Sequence, residues 1–206
     1  MTGRTKFAII GFICTMILTT PAMRLPNRRS RAMLFLLMAV ITGLMSVWPF
    51  LAPAFNRNFL MGLRTNVDRD GVCRQSSDYN CGPAAAVTAL RRLGLPAEEG
   101  EIALLAHTTN ATGTEPDILA DVLQKRYGES GLVSEYRIFK SIQDLQGNLP
   151  MLAVIKFNLL TDHFVTVINL TDAEVVVGDP LSGLTVLSHA EFAAKWRFTG
   201  ITLHRN

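Results

Sequence analysis

The chain has 206 residues, of which 49% are hydrophobic, and its 20 Lys and Arg against 17 Asp and Glu give a net charge of +3. Residues 1–64 contain eight basic residues and no acidic ones, so the other 12 basic and 17 acidic residues give residues 65–206 a charge of −5. A mildly acidic folded part argues against a nucleic-acid partner. Three cysteines are too few for a disulfide framework or a four-ligand zinc site, and no metal or other cofactor is expected.

Two apolar stretches open the chain. Residues 7–23 are uncharged over 17 positions and residues 32–55 over 24. Because a helix needs roughly 20 apolar residues to cross a bilayer core, the second stretch is long enough and the first is at the short limit. We therefore expect one or two transmembrane helices. The alternative is a buried hairpin of a soluble protein, for which 24 uncharged residues would be long.

The loop between these stretches, Arg24 to Arg31, contains four arginines. The positive-inside rule places such a loop in the cytoplasm, so we expect the following domain to be extracytoplasmic, in the periplasm or at the cell surface. A second interpretation begins at Met23, with a basic segment, an apolar core and Ala52-Pro-Ala54, which together resemble an export signal cleaved after Ala54. Both interpretations place the domain on the same side of the membrane.

Residues 56–70 are predicted to be a linker, and residues 71–206 the folded domain. Helices are expected first, over 82–93, 98–107 and 115–127, with Pro83 in a first turn and glycines just beyond two of the ends. Apolar and β-branched runs then predict strands over 134–139, 151–157, 163–170, 173–177, 184–187 and 198–203, with a helical turn over 188–196. Helices followed by an antiparallel meander indicate the α+β class.

Cys81 stands directly before Gly82-Pro83, where a helix is predicted to begin. A cysteine there meets the positive end of the helix dipole and free backbone N–H groups, and both favour the thiolate, which is the nucleophilic form. A thiolate nucleophile also needs a histidine to carry a proton and a third group to orient that ring.

His163 and Asp179 are the candidates for these two roles. His163 opens one predicted strand, the next strand ends at Asp179, and Thr171-Asp172 supplies the turn between them. If the two strands pair in antiparallel fashion, the start of one lies beside the end of the other. Gln75 lies six residues before Cys81, and its side-chain amide can donate to an oxyanion together with the backbone N–H of Cys81.

These residues carry a family resemblance. The run Gln75-Ser-Ser-Asp-Tyr-Asn-Cys81-Gly-Pro resembles the Q-x5-C-G motif of the bacteriocin-processing, double-glycine leader peptidases, which are papain-like cysteine proteases often fused to ABC exporters. His163-Phe-Val-Thr-Val and Asp179-Pro180 resemble the H-[FY]-V-x-V and D-P blocks of that family, and Gly113-Thr114 is also similar. The resemblance spans residues 71–198.

The resemblance implies a papain-like fold with Cys81 as nucleophile, His163 as general base and acid, Asp179 as the group that orients His163, and Gln75 as oxyanion donor. The chain contains no G-x4-G-K-[ST] motif, so we expect a stand-alone peptidase domain that uses no ATP.

The sequence therefore predicts a cysteine peptidase, membrane-anchored or exported, that cleaves a peptide or protein substrate through a thioester. Two alternatives stay open: a non-catalytic module that binds peptides, and an acyl transferase that uses the same residues.

Overall fold

The computed structural model describes residues 9, 11–17, 19, 24–110, 112–158 and 161–206, and gives only the backbone for residues 45, 46 and 48–56. The chain divides into two compact units, Met1–Asn56 and Arg57–Asn206. Residues 57–70, most of the predicted linker, belong to the second unit.

The first apolar stretch is helical over residues 11–17, and the second lies within helix α1, Arg28–Met61. Among the residues that the structure describes, no helix combines the length and the apolar run needed to cross a membrane. The predicted transmembrane helices over 7–23 and 32–55 therefore find no support in the fold. Parts of both predictions lie outside the described residues: positions 7, 8, 10, 18 and 20–23, and the side chains of 45, 46 and 48–56.

The second unit contains a short strand pair, then three helices, then six longer strands with one further helix before the last of them. Its elements are β1 Asn66–Val67, β2 Cys73–Arg74, α2 Cys81–Arg92, α3 Glu99–Leu105, α4 Pro116–Tyr127, β3 Leu132–Ile138, β4 Met151–Lys156, β5 Asp162–Leu170, β6 Glu174–Asp179, β7 Gly183–Ser188, α5 His189–Lys195 and β8 Trp196–Arg205. Each predicted helix and strand is present to within a few residues. The α+β class is confirmed.

The six longer strands form one antiparallel sheet in the order β3-β8-β4-β5-β6-β7. Strands β4 to β7 make the predicted meander. The prediction of a simple meander was wrong for the remaining two strands, because β8 returns to lie between β3 and β4 and so separates neighbours in sequence. The short strands β1 and β2 pair with each other and precede α2.

Both faces of the sheet are covered. Helix α2 packs on one face, where its small buried side chains allow close approach: the Thr166 hydroxyl on β5 donates to the Ala85 carbonyl at 2.8 Å. The other face packs against α5, with Phe192 and Trp196 fully buried. Since successive residues of a strand point to opposite faces, this explains why β5 is buried continuously from His163 to Val167.

Thr88 fixes β2 against α2. Its hydroxyl is fully buried, accepts the backbone N–H of Cys73 at 2.9 Å and donates to the Ala84 carbonyl at 3.1 Å. This one side chain therefore ties the start of β2 to the first half of α2.

Thr88→Val preserves shape but leaves the buried Cys73 N–H without an acceptor, so we expect it to lower the free energy of unfolding by about 1–3 kcal/mol. Urea unfolding followed by circular dichroism measures the loss. Thr185→Val on the partly exposed strand β7 is the matched control and should cost much less. Equal losses in the two variants would contradict the anchoring role of Thr88.

Candidate active site

Cys81 is the first residue of α2 and is half-buried. The preceding Asn80 is in the N-cap position, and its carbonyl accepts the N–H of Ala84 at 3.1 Å. Gly82 allows the loop before α4 to approach this turn, because a Cβ at position 82 would lie 2.9 Å from the Cβ of Thr114. The resemblance noted at Gly113-Thr114 therefore has a structural counterpart: Thr114 packs directly on the residue after Cys81.

The β5–β6 hairpin brings His163 and Asp179 together. The strands pair antiparallel, with Thr166 opposite Gly178. His163 Nε2 lies 2.8 Å from Asp179 Oδ1, and their side chains are only 6% and 21% exposed. The predicted juxtaposition of these two side chains at one sheet edge is thus present.

Asp179 is held by more than the histidine. Its Oδ1 accepts the backbone N–H of Leu181 and its Oδ2 accepts the hydroxyl of Ser182, both at 2.8 Å. Burial, the largest single effect, raises the pKa of Asp179, but the hydrogen bonds from His163, Leu181 and Ser182 outweigh it and bring the pKa down to about 2. Ser182 was not predicted as part of the site, although Asp followed by Pro is a recognisable start of such a turn.

His163 is buried between Asp179 and Cys81. Burial is again the largest effect and lowers its pKa, yet the hydrogen bond to Asp179 and the hydrogen bond and charge interaction with Cys81 raise the pKa to about 9. Because Nε2 is bonded to Asp179, Nδ1 is the ring nitrogen that is left for Cys81. The ring of Phe157 packs against the imidazole, with ring centroids 5.7 Å apart.

Gln75 lies beside the Asp179 turn, but its side-chain hydrogen bond is not to Cys81. Its backbone N–H donates to the Pro180 carbonyl at 3.1 Å, and its Nε2 donates to the Ser77 carbonyl at 2.8 Å. The structure therefore brings Cys81, His163 and Asp179 into one group and places Gln75 at its border, with one amide hydrogen committed to the loop.

Cys73 differs from Cys81 in its surroundings. It is fully buried, and burial, followed by the charge of Glu99, raises the pKa of its thiol to about 12. A thiol of this kind stays protonated and inaccessible. Within the described parts of the chain, no group of His, Cys, Asp or Glu side chains is arranged to hold a metal ion.

A thiol, an imidazole and a carboxylate in series can support nucleophilic attack by sulfur. The carboxylate stabilises the imidazolium and fixes its orientation, and the imidazolium stabilises the thiolate by charge and can later donate its proton.

Comparison with known proteins points to one family. A model of the peptidase C39 family matches residues 69–206. An uncharacterized protein of Methanothermobacter marburgensis is 33% identical over 112 residues, which are 54% of this chain and 72% of that protein.

Two solved structures share the fold. The peptidase domain of Streptococcus ComA, a bifunctional ABC transporter of a quorum-sensing pathway, superposes with a TM-score of 0.56 and 19% identity over 65% of this chain and 96% of that domain. A double-glycine motif protease from an AMS/PCAT transporter, solved with the leader peptide, gives a TM-score of 0.56 and 16% identity over 69% of this chain and 94% of that one.

The His163–Asp179 pair should make stability depend on pH at both ends. The pKa of His163 is about 9, above its ordinary 6.5, so its contribution is complete below pH 6.5 and is lost as pH rises through 9. The pKa of Asp179 is about 2, below its ordinary 3.8, so its contribution is complete above pH 3.8 and is lost as pH falls through 2. We expect Asp179→Asn to reduce the free energy of unfolding most between pH 3.8 and 6.5.

Urea unfolding of wild type and Asp179→Asn across this range, and at about pH 10, gives the difference directly. NMR titration of His163 is the independent check, since Cys81→Ala removes two interactions that raise its pKa and should lower that pKa. Cys14→Ala is the matched control and should leave the titration unchanged. A His163 titration that is the same in Cys81→Ala as in wild type would show that the two side chains do not interact.

Proposed function

This chain belongs to the peptidase C39 family and is a cysteine peptidase, and from that premise we propose that it cleaves peptide bonds through a thioester on Cys81, with His163 and Asp179 as partners. The observation that carries the proposal is the buried His163, bonded through Nε2 to Asp179 at 2.8 Å and with its pKa raised to about 9 by Asp179 and Cys81. Such a histidine is an imidazolium at neutral pH, as a thiolate partner requires.

In the acylation step, the Cys81 sulfur attacks the carbonyl carbon of the scissile bond and the carbonyl oxygen becomes an oxyanion. The tetrahedral species collapses as the C–N bond breaks, and the imidazolium of His163 donates its proton to the departing amine. The products of this step are a free amine and a thioester on Cys81, with His163 neutral.

In the deacylation step, neutral His163 removes a proton from water as the water oxygen attacks the thioester carbonyl. The C–S bond then breaks, which releases a carboxylic acid and restores the thiolate–imidazolium pair. Asp179 keeps its charge throughout and holds the ring so that Nδ1 faces Cys81.

The oxyanion formed in both steps needs donors. We assign the backbone N–H of Cys81, which is one of the free N–H groups of the first turn of α2, and the Gln75 amide hydrogen that does not donate to Ser77. Stabilisation by such donors is greatest in the transition state, where the negative charge develops.

The proposed substrate is a peptide or protein. One structural neighbour is a double-glycine motif protease solved with a leader peptide. A library of quenched fluorescent peptides tests whether this chain also cleaves after a double-glycine motif. The library includes peptides with Gly-Gly before the scissile bond and partners of otherwise equal sequence with Ala-Ala. The library also identifies the best-cleaved peptide for kinetic work.

We expect Cys81→Ala and His163→Ala to reduce kcat/KM for that peptide on the order of 10⁵-fold or more, and Asp179→Asn on the order of 10⁴-fold, because Asp179 orients the ring and moves no proton. Fluorogenic hydrolysis measures the rates, and thermal unfolding checks that each variant folds. Ser188→Ala, at the cap of α5, is the control and should retain activity. If Cys81→Ala cleaves the peptide as wild type does, Cys81 is not the nucleophile.

Transfer of the acyl group to an amine uses the same thioester, so product analysis distinguishes the two outcomes. Mass spectrometry with and without added glycinamide should show the carboxylic acid as main product in both cases. A dominant amide product with glycinamide would instead establish an acyl transferase.

We further propose that the N-terminal segment anchors the enzyme to a membrane with its catalytic unit outside the cytoplasm. The proposal rests on the sequence: 24 uncharged residues over 32–55, and eight basic and no acidic residues in 1–64.

We expect the full chain to sediment with membranes and to resist extraction by carbonate, and residues 57–206 to remain in the supernatant. A membrane-impermeant maleimide should label Cys81 in intact cells. Full-length protein in the supernatant would contradict the anchor, and labelling of Cys81 only after lysis would contradict the extracytoplasmic placement.

A further inference from the structure

We propose that Glu99, at the start of α3, is a positioning residue that holds Gln75 in place for oxyanion stabilisation. Glu99 is distant in sequence from every residue assigned above and touches none of the reacting groups. The inference rests on the proposed function, because it gives Glu99 a role only if Gln75 acts as an oxyanion donor.

Glu99 is a fully buried acidic side chain that binds the neighbour of Gln75 through both of its oxygens. Oε1 accepts the backbone N–H of Ser76 at 2.9 Å, and Oε2 accepts the Ser76 hydroxyl at 2.6 Å. Burying a carboxylate is costly unless its oxygens are hydrogen-bonded, and both bonds here go to one residue. The arrangement therefore fixes the backbone of Ser76 with respect to α3.

Gln75 is then held by contacts to two different parts of the fold. Its own N–H donates to Pro180, in the turn that follows Asp179, while the next residue is held by Glu99. The first contact ties Gln75 to the sheet that carries His163 and Asp179. The second ties it to the helical layer that carries Cys81. By fixing Ser76, Glu99 thus helps to fix the adjacent backbone of Gln75, from which the Gln75 side chain extends.

The loop between Gln75 and Cys81 has few side-chain bonds of its own. The Ser77 hydroxyl, the Gln75 Oε1 and both amide atoms of Asn80 are buried and have no hydrogen-bond partner among the described residues. A buried polar atom without a hydrogen-bond partner destabilises the conformation that contains it. Such a loop depends on hydrogen bonds to the rest of the protein to keep one conformation. The two bonds from Ser76 to Glu99 are the shortest of these hydrogen bonds.

Glu99 is itself rigidly placed. Its backbone N–H donates to the Thr65 hydroxyl at 2.8 Å, and Gly100 is so close to the end of α1 that a Cβ would lie 2.5 Å from the Leu60 carbonyl oxygen. Ser76 also lies within 3.1 Å of the Arg64 carbonyl. The backbone that carries the Glu99 carboxylate is therefore held in a fixed position.

The experiment measures the reactivity of the Cys81 thiolate separately from the stabilisation of the oxyanion. Alkylation of Cys81 by iodoacetamide needs only a thiolate and forms no oxyanion, whereas peptide cleavage needs both. In the full chain, site-resolved mass spectrometry of Cys81 gives the alkylation rate at about pH 7, and hydrolysis of the best-cleaved library peptide gives kcat and KM.

Four variants are compared with wild type. Glu99→Leu removes both acceptors, and Ser76→Ala removes only the hydroxyl contact. Glu99→Gln keeps an acceptor for the Ser76 N–H and can donate to the Ser76 hydroxyl, whose proton then turns to Arg64. Glu98→Leu is the matched control, since Glu98 is exposed and pairs with Arg91.

We expect Glu99→Leu to lower kcat by about 10- to 100-fold with little change in KM or in the alkylation rate, because a displaced oxyanion donor weakens only transition-state binding. Ser76→Ala should lose less, Glu99→Gln should recover most of kcat, and Glu98→Leu should match wild type.

An unchanged kcat in folded Glu99→Leu would overturn the proposal, and so would a parallel loss of kcat and alkylation rate, which indicates a general structural role. If Glu99→Leu does not fold, Ser76→Ala decides by the same criteria. Failure of the proposed function is visible separately, because wild type would then show slow Cys81 alkylation or no hydrolysis, and the role of Glu99 would fall with it.

Discussion

The antiparallel pairing of β5 with β6 is the constraint on which the site depends. It alone brings together two residues sixteen positions apart and puts a carboxylate against an imidazole in a setting where water is largely excluded. Each of these two side chains would be poorly tolerated there without the other, since burial opposes the charge of both. Their mutual hydrogen bond is what makes a buried imidazolium available to the sulfur at the start of α2.

The segment Arg74–Ser76 joins the two layers of the fold. The Arg74 guanidinium donates to the Leu181 carbonyl, Gln75 to Pro180, and Ser76 to Glu99. Three successive residues thus connect the turn that holds Asp179 with helix α3. Through these contacts Gln75, the proposed oxyanion donor, is tied both to the Asp179 turn and to α3.

Local patterns were sufficient to predict the α+β class, the helix that starts at Cys81 and the approach of His163 to Asp179. Each of these depends on neighbours in sequence, such as a proline in a first turn or a short turn between two apolar runs. The place of β8 between β3 and β4 depends on which distant strand edge is free, which no local pattern specifies. Glu99 was missed for a similar reason: its partner Ser76 is 23 residues away, and a glutamate near a helix start is ordinarily exposed.

The position of β8 also affects the order in which the strands of the sheet can pair during synthesis. Within the described sheet, β3 is joined to the other strands only through β8, so Leu132 finds its partner Arg205 only after every residue of the site has been synthesised. Pairing over such a separation is slow to nucleate because a long loop must close first. A ribosome-bound chain that already carries Cys81, His163 and Asp179 would therefore hold an unfinished sheet. Strand β3 therefore joins the sheet only once β8 is available, although β3 is the first of the six strands in the chain.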